Sequence, residues 1–140
     1  MTTTHEGHCL CGAVQLQGRG TPKISVCHCG VCRRWSGGIG VGVMFEGGLE
    51  ILKADGLTWY ESSEWAERGF CKVCGASLLY RMKSDPETYY PQAGTFDLPE
   101  GQEIQEHIFV DAQPDYYDFK DDAPRLTEAE TLAKYQDGES

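Results

Sequence analysis

The sequence has no apolar run long enough to cross a bilayer as a helix, which argues against a membrane span. Its first residues, Met-Thr-Thr-Thr-His-Glu-Gly, offer neither a basic n-region nor an apolar h-region. The expectation is a chain without a secretory leader, kept in the cytoplasm, where thiols stay reduced. Positive charge is scarce. Twelve Lys and Arg stand against 22 Asp and Glu, a net charge of −10, so the broad basic surface that a nucleic-acid partner requires is missing. Repeats and low-complexity linkers are absent as well, and with 140 residues the chain reads as one domain at 1–126 followed by an acidic C-terminal tail at 127–140. A short amphipathic helix is expected at 127–135, with Pro124 before it and Gly138 after it as acceptable flanks. The late acidic residues, from Asp111 to Glu139, read as a solvated face that favours solubility.

Glycine, by contrast, is spread through the chain between short β-branched and aromatic runs, the pattern of many short strands joined by tight turns. The expected fold class is mainly β with little helix. Strands are predicted over 13–17, 23–27, 39–45, 49–52, 57–61, 65–70, 77–82, 89–93 and 106–110, with a knuckle and short helical turn at 29–35. Within Ile39-Gly40-Val41-Gly42-Val43 two alternating positions are glycine, which predicts a strand that another group approaches closely. Trp59, Tyr60, Trp65, Phe70 and Tyr80 read as core aromatics.

Cysteine carries the chemistry. Seven cysteines fall in three clusters: Cys9 and Cys11, then Cys27, Cys29 and Cys32, then Cys71 and Cys74. An odd number in such tight groups fits metal ligation better than disulfides. In extended backbone, residues i and i+2 point to the same side, so Cys9 and Cys11 offer two sulfurs to one ion. Cys71-Lys72-Val73-Cys74-Gly75 has the form of a zinc knuckle whose glycine can take a positive φ. Seven divides into a closed four-cysteine site and a triplet without a fourth cysteine. A structural zinc needs four protein ligands and a catalytic one keeps a position open, so the triplet is where function is sought. Water, an exogenous thiol or a histidine would complete it; His5, His8, His28 and His107 are the candidates, and His28, lying between two ligands, should point the other way. Two zinc ions per chain are expected, one structural and one catalytic. An iron–sulfur cluster on the four-cysteine set is the alternative, and a purely structural role for every metal is another. Arg33 and Arg34 follow the last ligand and, with Lys23, make the region locally basic. They would pair with a carboxylate of a small anionic ligand or stand as solvated surface charges. Trp35, Ser36 and Gly37 would line the same pocket, Gly37 and Gly38 letting backbone N–H groups approach a ligand.

Several stretches resemble the glutathione-dependent formaldehyde-activating enzymes, whose domain is shared with centromere protein V. They are Gly7-His8-Cys9-Leu10-Cys11-Gly12, Cys27-His28-Cys29-Gly30-Val31-Cys32-Arg33-Arg34, Arg68-Gly69-Phe70-Cys71-Lys72-Val73-Cys74-Gly75, Gly94-Thr95-Phe96-Asp97, His107-Ile108-Phe109-Val110-Asp111 and Asp122-Ala123-Pro124-Arg125. All seven cysteines match at the family's spacing. The resemblance implies antiparallel sheets in a β-tent around zinc sites. It implies a structural zinc on Cys9, Cys11, Cys71 and Cys74, and a catalytic zinc on Cys27, Cys29 and Cys32. It also implies a carbon–sulfur lyase or synthase that joins glutathione, a small thiol, to formaldehyde, a small aldehyde, as S-hydroxymethylglutathione. A zinc-dependent interaction module and a non-catalytic binder of glutathione conjugates are the competing classes. The acidity of the chain speaks against the chromatin and microtubule association of the centromere relative.

Overall fold

A computed structural model describes residues 3–136; the predicted flank Gly138 and the acidic Asp137 and Glu139 lie outside them. In chain order the described residues form strands β1 (Thr4–His8), β2 (Val14–Arg19) and β3 (Pro22–Cys27), helix α1 (Gly30–Ser36), strands β4 (Gly40–Phe45), β5 (Leu49–Ala54), β6 (Leu57–Glu61), β7 (Ala66–Cys71), β8 (Ser77–Met82), β9 (Asp85–Pro91) and β10 (Ile104–Ile108), and helix α2 (Glu128–Gln136). The chain is mainly β, as its composition predicts. It divides into two compact units: one takes the chain up to Lys23 together with Val43–Gln102, the other takes Ile24–Gly42 and everything from Glu103 on. The backbone passes between the units within β3, within β4 and after Gln102.

The first unit holds two antiparallel sheets, β1-β2-β5 and the meander β6-β7-β8-β9. In β2, Val14, Leu16 and Gly18 are buried while Gln15 and Arg19 face water, the period-2 pattern of a half-buried strand. Two glycines let aromatic rings come against this sheet. A Cβ on Gly18 would lie 2.4 Å from the Phe45 ring, and one on Gly7 would lie 2.7 Å from Phe96. Phe45 and Phe96 meet edge to face, ring centroids 4.9 Å apart, and both are buried. Not every expected core aromatic is inside: Tyr60 and Trp65 are 58% and 64% exposed, because the edges of a short four-stranded meander leave outward side chains uncovered. β1 was not among the expected strands. Thr-His-Glu-Gly-His has no apolar signal of its own and becomes a strand through its ladder with β2.

The second unit contains the sheet β10-β3-β4. Antiparallel sheets were expected, yet β10 runs parallel to β3, Ile104 opposite Ile24 and Ile108 opposite Cys27, a pairing that a long excursion of chain between the two strands permits. β10 stops at Phe109, which takes the left-handed conformation (φ 56°) and donates its N–H to Thr131 Oγ1 (3.3 Å). The segment after it returns alongside β10: His107 donates its N–H to Pro124 O and accepts at its own carbonyl from Leu126, each at 2.8 Å. α2 opens with a capping box. Glu130 N–H donates to Thr127 Oγ1 (3.1 Å), and Thr127 N–H donates to Glu130 Oε1 (3.0 Å). The far end of α2 is tied down by the buried Glu106 carboxylate, which receives Lys134 Nζ (2.5 Å) and the Tyr135 hydroxyl.

Truncating Phe45 to Ala removes the ring that the bare Gly18 makes room for and that meets Phe96 edge to face. We expect a loss of about 3–5 kcal/mol in chemical denaturation of the metal-loaded protein; a loss under about 1 kcal/mol would show that the ring is not part of the core.

Candidate functional site

The four cysteines of the first unit converge. Cys9 lies just past the end of β1 and accepts a hydrogen bond from Val14 N–H (3.3 Å), while Cys11 sits two residues on. Cys71 ends β7, and the turn to Cys74 closes with Gly75 N–H donating to Cys71 O (2.7 Å), Gly75 taking the positive φ (81°) that the knuckle requires. All four sulfurs lie within 4.8 Å of one another, with Cys9 to Cys11 and Cys11 to Cys71 both 3.7 Å apart. A tetrahedron with zinc–sulfur bonds of about 2.3 Å has an edge of about 3.8 Å, so the donor set fits such an ion in both number and spacing. Hydrogen bonds from the backbone N–H groups of Ala76 and Cys11 bring the Cys74 thiol down to about 6, towards the thiolate that a metal binds. Gly56 backs the cluster: a Cβ there would stand 2.7 Å from Cys71 Sγ.

Cys27, Cys29 and Cys32 form the cluster of the second unit, their sulfurs also within 4.8 Å of one another. Cys27 ends β3, Cys29 caps α1 and Cys32 lies in its first turn. The Cys29 sulfur accepts the Cys32 N–H at 3.3 Å. Hydrogen bonds from the Cys27 and Cys32 thiols, with further help from the Cys32 and Val31 N–H groups, hold Cys29 down at about 2, while the same sharing pushes Cys27 upward. The charged form is thus favoured at Cys29, and a cation bound among the three sulfurs would release the remaining protons. The close approach predicted at the alternating glycines occurs at Gly40, whose Cβ would lie 2.7 Å from Cys32 Cβ and 3.4 Å from Cys32 Sγ.

Behind the triplet lies a chain of polar side chains. His28 is fully buried and does not join the sulfurs of the triplet. Its Nδ1 is 2.7 Å from the Tyr117 hydroxyl and its Nε2 is 2.9 Å from His107 Nδ1. His107 Nε2 lies 3.0 Å from both Asp121 oxygens, and Asp121 is joined by Arg125 at 3.5 Å. Phe119 stands edge-on to both imidazoles. Burial lowers the His28 pKa, and the neighbouring His107 and Arg125 add to it.

The structure distributes the other predicted residues as follows. Arg33 is half-buried, its Nε enclosed without a hydrogen-bond partner, and its charge reaches Tyr117. Arg34 folds back onto its own helix, donating to Gly30 O at 3.2 Å. Trp35 and Ser36 are half-buried on α1. Gly37 is the C-cap of α1 (φ 84°), and its N–H is taken by Arg33 O at 2.8 Å. Lys23, grouped with the arginines by proximity in sequence, instead pairs with Glu46 at 3.2 Å in the first unit. Of the histidines considered as a fourth ligand, none joins the triplet: His5 stacks on Phe45, His8 Nδ1 bonds Cys9 O at 2.6 Å, and His28 and His107 bond each other. Tyr117 and Phe119 belong, with Tyr89, Tyr90 and Tyr116, to the aromatics that from sequence could rim a pocket, whereas Asp121 had no sequence signal of its own. Asp121 was hidden among the late acidic residues, and nothing local marks one carboxylate of that run as the partner of a buried imidazole.

The sequence matches the glutathione-dependent formaldehyde-activating enzymes over residues 4–112. It is 31% identical, over 129 residues, to an uncharacterised lyase of Schizosaccharomyces pombe, covering 91% of this chain and 94% of that protein. A crystal structure of a Rhodobacter sphaeroides protein is similar with a TM-score of 0.53 and 27% identity, over 68% of this chain and 90% of that one. No helix among the described residues is long and apolar enough to cross a membrane.

Gly40→Ala and Gly56→Ala each put a methyl group into space that a cysteine occupies. Gly40→Ala should empty the triplet and leave the four-cysteine cluster loaded, while Gly56→Ala should strike the four-cysteine cluster. Metal content by mass spectrometry, with cobalt-substituted absorption to distinguish three-thiolate from four-thiolate binding, checks this. Full loading of both clusters in Gly40→Ala would contradict it.

Proposed function

Since the chain belongs to the glutathione-dependent formaldehyde-activating enzyme family, we propose that it is a zinc-dependent carbon–sulfur lyase and synthase in the cytoplasm, interconverting glutathione plus formaldehyde with S-hydroxymethylglutathione. The observation that supports this most strongly is the asymmetry of the two clusters. One offers four sulfurs and the other three, with no histidine or carboxylate among the described residues joining the three. Four protein ligands saturate a tetrahedral ion; three leave a place for a ligand from solution.

In this reading Cys9, Cys11, Cys71 and Cys74 hold a structural zinc that pins the first unit, and Cys27, Cys29 and Cys32 hold the catalytic one. When bound there, the ion would keep an incoming thiol deprotonated at neutral pH, and its three thiolate neighbours make it a better holder of a thiolate than an activator of a carbonyl. The chain's own groups bind and orient. Arg33 offers its guanidinium to a glutathione carboxylate, a role that its half-buried place on α1 and an Nε without a hydrogen-bond partner support. Trp35 and Ser36 line the approach. Arg34 and Gly37 support α1, since their polar groups are already engaged with its backbone. In the synthetic direction the thiolate sulfur forms the C–S bond, the carbonyl electron pair moves to oxygen, and that oxygen takes up one proton. Cleavage reverses each movement.

Titration of glutathione into the reduced, zinc-loaded protein by calorimetry tests this. Saturable binding is expected, abolished when the thiol is methylated and abolished in Cys29→Ser, which should also lose one zinc per chain. Formaldehyde turnover should vanish in the same variant. Full turnover by a protein with one zinc would refute the assignment. Binding without any turnover would instead mark a glutathione-conjugate binder.

A further inference from the structure

The backbone between the first two sulfurs of the triplet is short and has one residue in it. β3 ends at Cys27 and Cys29 caps α1, so the chain joining one cysteine to the next passes through His28 alone. Whatever fixes His28 therefore fixes how those two cysteines sit relative to each other. Its backbone N–H donates to Ile108 O of β10 at 3.0 Å. Its ring is held at both nitrogens, Nδ1 2.7 Å from the Tyr117 hydroxyl and Nε2 2.9 Å from His107 Nδ1. The Tyr117 and His107 rings lie nearly parallel to it, at 19° and 20°, and Phe119 stands edge-on with its centroid 5.8 Å away. His107 is fixed in turn by Asp121, both of whose oxygens are 3.0 Å from its Nε2. Arg125 is 3.5 Å from Asp121 and donates to Ala123 O (2.7 Å) and Phe119 O (3.3 Å), which keeps the carboxylate in place. These contacts hold the His28 ring whichever partner supplies each hydrogen.

An apolar side chain would fill the same space at lower cost, because a buried polar ring needs a partner for each nitrogen. What the hydrogen bonds add is direction: they fix distance and angle, where apolar contact fixes little more than volume. A three-sulfur site needs that direction. Thiolates repel one another until a cation joins them, and among the described residues no fourth protein ligand helps to gather these three. We propose that His28 is a positioning residue of the triplet and that Tyr117, His107 and Asp121 act through it, holding the Cys27–Cys29 segment so that the three sulfurs converge before an ion arrives. This rests on the reading of the triplet as a metal site, and it names the part of the chain that sets the site's affinity and geometry. Tyr117 and Asp121 lie beyond residues 4–112, which match the family, so the end of the chain contributes to the site without supplying a ligand. The four-cysteine cluster belongs to the first unit and shares none of these residues.

Cobalt titration of the reduced full chain against a competing chelator tests this, because absorption distinguishes three-thiolate from four-thiolate binding. The unmodified protein should take up two cobalt ions. Tyr117→Phe keeps the ring and removes only the hydroxyl. It should weaken cobalt binding at the triplet about tenfold or more and shift the ligand-field bands of that site, with the four-cysteine cluster unchanged. Asp121→Ala should weaken the triplet by less, and Asp121→Asn, whose amide can still bond His107, should restore most of that loss. Lys134→Met is the control: it removes a tie to Glu106 in the same unit, so it should lower thermal stability while leaving triplet affinity and spectrum as they were. An unchanged triplet in Tyr117→Phe, or an equal loss at the triplet in Lys134→Met, overturns the proposal. Uptake of a single cobalt by the unmodified protein overturns it together with the reading of the triplet as a metal site. Two cobalt ions, the expected loss in Tyr117→Phe and no glutathione binding would support the positioning role while overturning the thiol-capture reading.

Discussion

Seven thiols confined to two small volumes are the constraint on which the rest of this protein depends. Sulfur atoms 3.7 Å apart cannot all be thiolates without a cation among them, and leaving them all as thiols wastes the backbone N–H groups aimed at Cys9, Cys29 and Cys74. A divalent ion resolves the conflict. In the first unit it would also close a long loop, because Cys11 and Cys71 are 60 residues apart in sequence. Loop-closure entropy of that kind is recovered as folding free energy when the metal binds. The surrounding chain has yielded to the sulfurs: Gly56 and Gly40 stand where any larger residue would press on a ligand.

The two clusters differ in what lies behind them. The four-cysteine set is bounded by turns and by the sheet that carries Cys71, and it presents Leu10 and Val73, 86% and 67% exposed, on its outer side. The triplet is backed by a buried polar chain. Burying two imidazoles and part of a carboxylate costs free energy unless every donor finds an acceptor. Here each ring nitrogen has one partner, and the chain ends on a partly exposed carboxylate at one side and a tyrosine at the other. That is a large polar investment for a site whose only task is to fold, and it is consistent with a triplet that meets a ligand.

The short helix between Cys29 and Gly37 links these features. Its N-cap is the Cys29 sulfur, its first turn holds Cys32, and its last turn carries Arg33 and Arg34. The Cys29 pKa is lowered chiefly by the Cys27 and Cys32 thiols, and the cap relation adds backbone N–H groups to them, so a local helix-start geometry, a sulfur of the triplet and the placing of Arg33 meet in one short segment. Arg34, adjacent in sequence, is turned onto Gly30 O, since neighbouring residues on a helix cannot share a face.

Spacing alone determined the parts of this protein that depend on local geometry. The C-x-C, C-x-x-C and C-x-C-x-x-C groups declare their ligand sets because residues two or three apart have few ways to point. The alternation in β2 and the paired glycines around Gly40 declare a half-buried strand and a close approach. What no local pattern could contain was decided by the tertiary structure: that β1 is a strand at all, that β10 lies parallel to β3, that Lys23 leaves the arginines for Glu46, and that Asp121, one acidic residue among many, meets His107 and through it His28 and Tyr117. The physical reason is the same in each case. These contacts join residues far apart in sequence, and their energy exists only once the intervening chain has already been folded into place.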